Sequence, residues 1–497
     1  MRAAILLALA VAAAADDAGI DRARGIAKAG PEAARAAIPA LIELGKGTPA
    51  ERFAARDALV VAGPPAVARL IGEAGGNPSL RLLLEGVSFD LGARVVVVAL
   101  PALADGSAKT RAMAAVALGA AGPGGEAAVK QLVELLHDAD TGVRREAARA
   151  LGGIGRGAHD AIPGLIHLAN DPERGHQHEA LLALGRIVRD AAERDRPAPE
   201  VPADAARAIK AGTAWLERQQ RPDGWWEFGS GDPSDLAQER ARLTALVLLA
   251  MLETGDGPPP TGVRVGLRCL ASADGVEGPF HVPAGSVEGV FPALCAGARV
   301  TGEPECRAAA ERALKARALR HGAGPSGYGW RALGIAEAGF AGLFGQGSLK
   351  VEGAELPLGE EALVQLVAGG DPKADTALHT ALEMGVQQKA KNPESTFFAA
   401  RARWYAGRKS DELIATLCAS QREDGSWDLP ENRRGPCHST ACMLLSLEAA
   451  AGIARPLAMP LPNAPQLKAA VATLRIAAQS KDEPLCAAAQ QALAGFR

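Results

Sequence analysis

Aromatic residues are scarce in this 497-residue chain: 10 Phe, 6 Trp and 2 Tyr, 4% in all. Cysteine is missing from the first half. All seven, Cys269, Cys295, Cys306, Cys418, Cys437, Cys442 and Cys486, lie in the second. No CxxC occurs, which excludes a redox dithiol motif and a zinc ribbon, and the odd count leaves at least one thiol unpaired in a monomer. In an oxidising compartment one or two disulfides could form, with a pairing that spacing does not fix. An excess of one charge is lacking too, with a net charge of −3, a pI near 6.4 and both signs interspersed. Without a one-sided basic field there is no grip on a phosphate backbone, so nucleic acid is excluded as the main partner. No stretch is long and charge-free enough to span a membrane.

What is present is Ala and Leu, the residues that lose least on becoming helical. Hydrophobic residues make up 48%, while 57 Gly and 33 Pro keep the helices short. The expectation is an all-α protein, long enough for two or three domains. It opens MRAAILLALAVAAAADD, one Arg followed by a short apolar run and small residues. Residues 1–15 read as a signal peptide cleaved near Ala15, which places the mature protein in the periplasm or outside the cell. No Cys follows the run to carry a lipid anchor.

Residues 16–196 read as an array. AIPALIELG from Ala37, AVARLIGEAG from Ala66, ALPALADG from Ala99, AVKQLVELLHD from Ala128 and AIPGLIHLAND from Ala161 repeat one helical pattern at intervals of 29 to 33 residues. Pro39, Pro101 and Pro163 are expected in first helical turns, where the missing N–H costs nothing. Partner helices lie between them and end at Gly63, Gly122 and Gly155. In DTGVRREAARALGGIG, Val143, Ala147, Ala150, Leu151 and Ile154 form one apolar stripe that a single hairpin cannot bury, so the pairs must stack. His176 and His178 have no third ligand nearby in sequence and read as a surface loop rather than a metal pair. These segments resemble HEAT repeats of the short bacterial form. That resemblance implies a solenoid with a surface for a protein partner. Pro197, Pro199 and Pro202 mark residues 197–203 as a linker.

Residues 204–456 carry a second repeat. QRPDGWW places Gln220, Asp223, Gly224 and Trp226 at the same offsets as Gln421, Asp424, Gly425 and Trp427 in QREDGSW, with Leu216 and Leu417 four residues upstream. A weaker copy runs through Leu267, Ala271, Asp274 and Gly275. Gly-rich turns at 322–330 and 369–375 complete a period of about fifty. Gly after Asp supplies a positive φ, the Gln amide is suited to satisfy free backbone groups where a helix ends, and the indole is suited to cover that Gln and shield it from water. TALVLLAMLE at Thr244 and TACMLLSLE at Thr440 read as inner helices buried on several sides.

The Leu–Gln–Gly–Trp spacing resembles the QW motif of squalene–hopene and oxidosqualene cyclases. The fifty-residue hairpins look like the α/α toroid that those terpenoid cyclases share with protein prenyltransferase β-subunits. In that family the motif is structural. The family's DxDD acid and DDxxD magnesium motif are absent. Asp232 and Asp235 (DPSD) fit a helix N-cap better than a catalytic acid. His438 resembles the zinc histidine of prenyltransferases, but the Asp-x-Cys ligands have no counterpart. No catalytic residue, metal site or cofactor is therefore assigned. His438, Cys437, His281 and Trp330 remain as candidate cavity residues.

The reading is an exported non-catalytic scaffold, with a HEAT solenoid for a protein partner and a toroid for an apolar small molecule or peptide. The alternative is an isoprenoid-processing enzyme with non-standard catalytic residues. Residues 463–497 read as a helical hairpin that either completes the toroid or caps the chain.

Overall fold

The structure, a computed structural model, describes residues 18–171, 174–196, 199–227, 236–253, 261–273, 289–315, 328–340, 358–368, 378, 382, 393–428, 434–457, 461, 464–494 and 496. These residues are helical almost throughout. They fall into two compact units, 1–195 with 461–493, and 196–460 with 494–497. Residues 1–17, His281, Asp232, Asp235, Asp274, Gly275, the 369–375 turn and most of the 322–330 turn lie outside the described residues.

The first unit contains α1 (18–29), α2 (Pro31–Ala36), α3 (Ile38–Leu44), α4 (Pro49–Ala62), α5 (Pro64–Glu73), α6 (Pro78–Leu91), α7 (Val96–Ala102), α8 (Ala108–Ala120), α9 (Val129–Glu134), α10 (Thr141–Ile154), α11 (Ile162–Ala169) and α12 (Arg174–Arg194). The longer helices α4, α6, α8, α10 and α12 stack in that order, each with its shorter partner beside it. Four of them begin at a side-chain cap. Thr48, Asn77, Ser107 and Asp140 each accept a backbone N–H from the first turn, and Thr48 forms a full capping box with Glu51. Such caps satisfy donors that a helix start otherwise leaves open.

Close approach in this stack depends on small residues. A Cβ at Gly119 would lie 2.6 Å from the backbone of Ala150, and one at Gly152 would lie 2.8 Å from that of Ala183. The next member of the series, Gly185, faces Ala492 in the same way, at 2.7 Å from its Cα. The last two helices of the chain, α23 (Pro465–Ala477) and α24 (Glu483–Leu493), therefore pack on α12 and continue this unit.

Ion pairs join the layers: Arg56 to Asp90 at 2.8 Å, Arg81 to Glu146 at 2.8 Å, Arg149 to Glu179 at 2.5 Å and Arg111 to Asp138 at 2.8 Å. Two details differ from the sequence expectation. Pro39 and Pro163 do sit at helix starts, but Pro101 lies near the end of α7, because the Val95–Val98 run starts that helix earlier. His176 is not in a surface loop. It is buried in the first turn of α12, with Arg144 Nε 3.4 Å from its Nδ1 and Asp171 3.3 Å from its Nε2, whereas His178 is exposed.

The second unit contains α13 (Ala203–Gln219), α14 (Leu236–Glu253), α15 (Thr261–Ala273), α16 (Val290–Thr301), α17 (Pro304–Lys315), α18 (Tyr328–Phe340), α19 (Leu358–Val367), α20 (Pro393–Tyr405), α21 (Asp411–Ser420) and α22 (Gly435–Ala451). Helices α14, α16, α18, α19, α20 and α22 pack in succession, and α22 packs back on α14. Helices α13, α15, α17 and α21 lie against members of this series. Every residue from Leu243 to Leu252, and from His438 to Ala451, is buried, as expected for helices covered on all sides. Cys269, Cys295, Cys418, Cys437, Cys442 and Cys486 are free thiols.

Candidate functional site

The two Gln–Trp corners have one geometry. Each follows an outer helix whose last residues turn into extended backbone at Gln220 or Gln421. Gly224 and Gly425 take φ of 90° and 93°, values that favour glycine, so the chain can double back. Trp226 Nε1 donates to Leu216 O at 2.8 Å, and Trp427 Nε1 donates to Leu417 O at 2.9 Å. The indole thus closes a carbonyl at the helix end, a task expected of the Gln. The amide of Gln220 instead donates to Gly224 O at 2.9 Å and to Gly262 O, on α15, at 2.8 Å. That of Gln421 donates to Gly425 O at 2.9 Å and to Ala208 O, on α13, at 2.8 Å. Thr244 and Thr440, which open the echoing inner-helix segments, accept from Trp226 N at 3.1 Å and Trp427 N at 3.0 Å. Asp223 and Asp424 accept from the backbone N–H two residues on, as Asx turns do. Asp424 also accepts from Trp215 Nε1 at 3.2 Å.

His438 and Cys437 lie in the first turn of α22. His438 is buried, and its Nε2 is 3.0 Å from Glu394 Oε1 at the start of α20. Arg434 Nη1 donates to the same oxygen at 2.5 Å. Burial pushes the Glu394 carboxyl up, but the hydrogen bond and charge of His438, with Arg434 and Arg242, outweigh it and hold the group below the usual carboxylate range. Burial pushes the Cys437 thiol up to about 11, so it is a poor nucleophile near neutral pH. Among the described residues no three His, Cys, Asp or Glu side chains come together as metal ligands do. Trp330 is packed against Phe397 and Phe398, with ring centroids 5.7 and 5.2 Å away.

A second polar group occupies the opposite, C-terminal ends of the inner helices. Arg401 of α20 is wholly buried and donates through Nη2 to both oxygens of Glu253, at 2.8 and 2.7 Å. Its guanidinium lies 5.4 Å from the ring centre of Phe397 and 5.8 Å from that of Tyr405. Arg299 donates to Glu337 at 3.2 Å. Glu448 is wholly buried, and neither of its carboxyl oxygens has a hydrogen-bond partner among the described residues. Sequence reasoning passed over these residues. The signal was there, since TALVLLAMLE and TACMLLSLE both close an apolar helix with a glutamate, Glu253 and Glu448.

Residues 96–185 match the family described as HEAT repeats. That span covers α7 to α11 and the first half of α12. No curated protein matches the chain. Among solved structures, the crystal structure of an engineered protein, a target of the Northeast Structural Genomics Consortium, shows 20% identity. The alignment covers 92% of this chain and 98% of that one, with a TM-score of 0.21. A score that low carries no argument about the fold.

Proposed function

We propose that this chain is an exported, non-catalytic scaffold that holds a protein partner on its HEAT array. The observation that carries the reading is the HEAT match over residues 96–185, on helices that stack layer by layer. Arrays of this kind bury their repeats against one another and leave a continuous face free for another protein. The second unit is proposed to be an α/α toroid of the squalene-cyclase and prenyltransferase kind, able to take an apolar small molecule or a peptide. Two observations support that fold reading. The inner-helix contacts return to their starting helix, and Gln421 reaches α13 as Gln220 reaches α15.

The test is affinity purification of the full chain from native cells after cross-linking, with mass spectrometry of the proteins and lipids recovered. One stoichiometric protein cross-linked within residues 96–185 is the expected result. Turnover of squalene or a prenyl diphosphate by the purified protein, abolished by His438→Ala, would contradict the scaffold and favour an enzyme. The mass of the mature N-terminus tests export: it should begin after Ala15.

A further inference from the structure

Glu253 and Glu448 stand at matching places near the ends of α14 and α22, two inner helices packed against each other. Three carboxyl groups gather here, Glu253, Glu448 and, from α18, Glu337. Arg401 from α20 and Arg299 from α16 are the cations facing them, and Tyr405 from α20 and Cys295 from α16 are further titratable groups beside them. Arg401 is engaged with Glu253 and Arg299 with Glu337. Among the described residues, Glu448 has no hydrogen bond to either oxygen. With Arg401 engaged by Glu253 and no donor on either oxygen of Glu448, ionising that buried carboxyl is costly, so the closed form is favoured when Glu448 carries a proton.

We propose that Glu448 is a proton-operated latch on the seam between α14 and α22, carried as the neutral acid when the seam is closed and loosening it on ionisation. Burial pushes the Glu448 carboxyl well above the usual range, the nearby Glu253 adds to the rise, and Arg401 opposes it. Burial also pushes Glu253 up, against the pull of Arg401. The folded-state value is raised, so the stabilisation is complete below the ordinary carboxylate value of 4.5, and it is lost as pH rises toward the folded-state value. Over that interval opening increases by about tenfold per pH unit. The proposal concerns the seam itself and stands whether or not the unit binds a ligand.

The test is hydrogen exchange of the full chain, wild type against Glu448→Gln, at about pH 6 and about pH 9. Comparing the two proteins at one pH cancels the intrinsic pH dependence of exchange. At the higher pH, wild-type peptides from α14 and α22 are expected to exchange at least tenfold faster than those of the variant, with the gap narrowing at the lower pH. Equal exchange at both pH values overturns the proposal, as does a difference of the same size at both. If Glu448→Gln fails to fold, Glu448→Met provides a non-ionisable side chain of similar size, and the same two outcomes decide.

Discussion

The side-chain amide of Gln421 donates to the carbonyl of Ala208, 213 residues upstream, at 2.8 Å. Gln220 makes the same 2.8 Å bond to Gly262, only 42 residues downstream. In both pairs the acceptor lies four residues before a glycine that faces the indole of that corner. Gly212 faces Trp427, and Gly266 faces Trp226. The last corner of the unit therefore treats the first outer helix as its next neighbour.

Removing either amide should cost similar stability, despite the difference in sequence separation. Gln421→Leu and Gln220→Leu each strip two carbonyls of a donor, a loss of about 1–3 kcal/mol apiece. Urea denaturation checks this. A much smaller effect for Gln421 would mean that its contact with α13 is not a repeat of the Gln220 contact.

Gly212→Ala is expected to destabilise the second unit. The added Cβ would lie 2.9 Å from Trp427 Cζ3 and 2.9 Å from Leu444 Cδ2, both in the buried core. Overpacking of this kind typically costs about 1–3 kcal/mol, and alanine would otherwise favour the helix. A melting temperature raised by the substitution would show that the indole is free to shift.

Glu394 should make the second unit acid-sensitive. Its folded-state carboxyl is depressed below the ordinary 4.5, so its stabilisation is present above that value and is lost as pH falls through the lower folded-state value. Glu394→Gln is expected to lower stability near neutral pH and to flatten the acid limb of a pH-stability curve. An unchanged acid limb would place the His438–Glu394 pair outside the energetics of folding.

Ending the chain after residue 460 should weaken the array rather than leave it intact. The truncation uncovers the face of α12 that α23 and α24 cover, including the close contact of Gly185 with Ala492. A lower thermal midpoint and stronger binding of a hydrophobic dye are expected. An unchanged midpoint would make the hairpin dispensable.

Much of this architecture was legible in the sequence, because it rests on local, periodic demands. Gly after Asp at 224 and 425 announced a backbone that doubles back, and Pro39 and Pro163 announced helix starts. Other features were written at long range. The ALG steps at Gly119, Gly152 and Gly185 recur every 33 residues, but only the packing shows that the next layer is supplied by Ala492. His176 looked like a loop residue because neither Arg144 nor Asp171 could be recognised from spacing as its neighbour. The Arg401–Glu253 pair joins helices 148 residues apart, so no local pattern pointed to it. Pro101 misled for a local reason: a β-branched run upstream started its helix early.

Closure between the first and last corners is tested most directly by native-state hydrogen exchange on Gln421→Leu. Protection should fall together in α13 and α21, while α15 keeps its own through Gln220. Loss confined to residues 421–428, with α13 unchanged, would contradict the account.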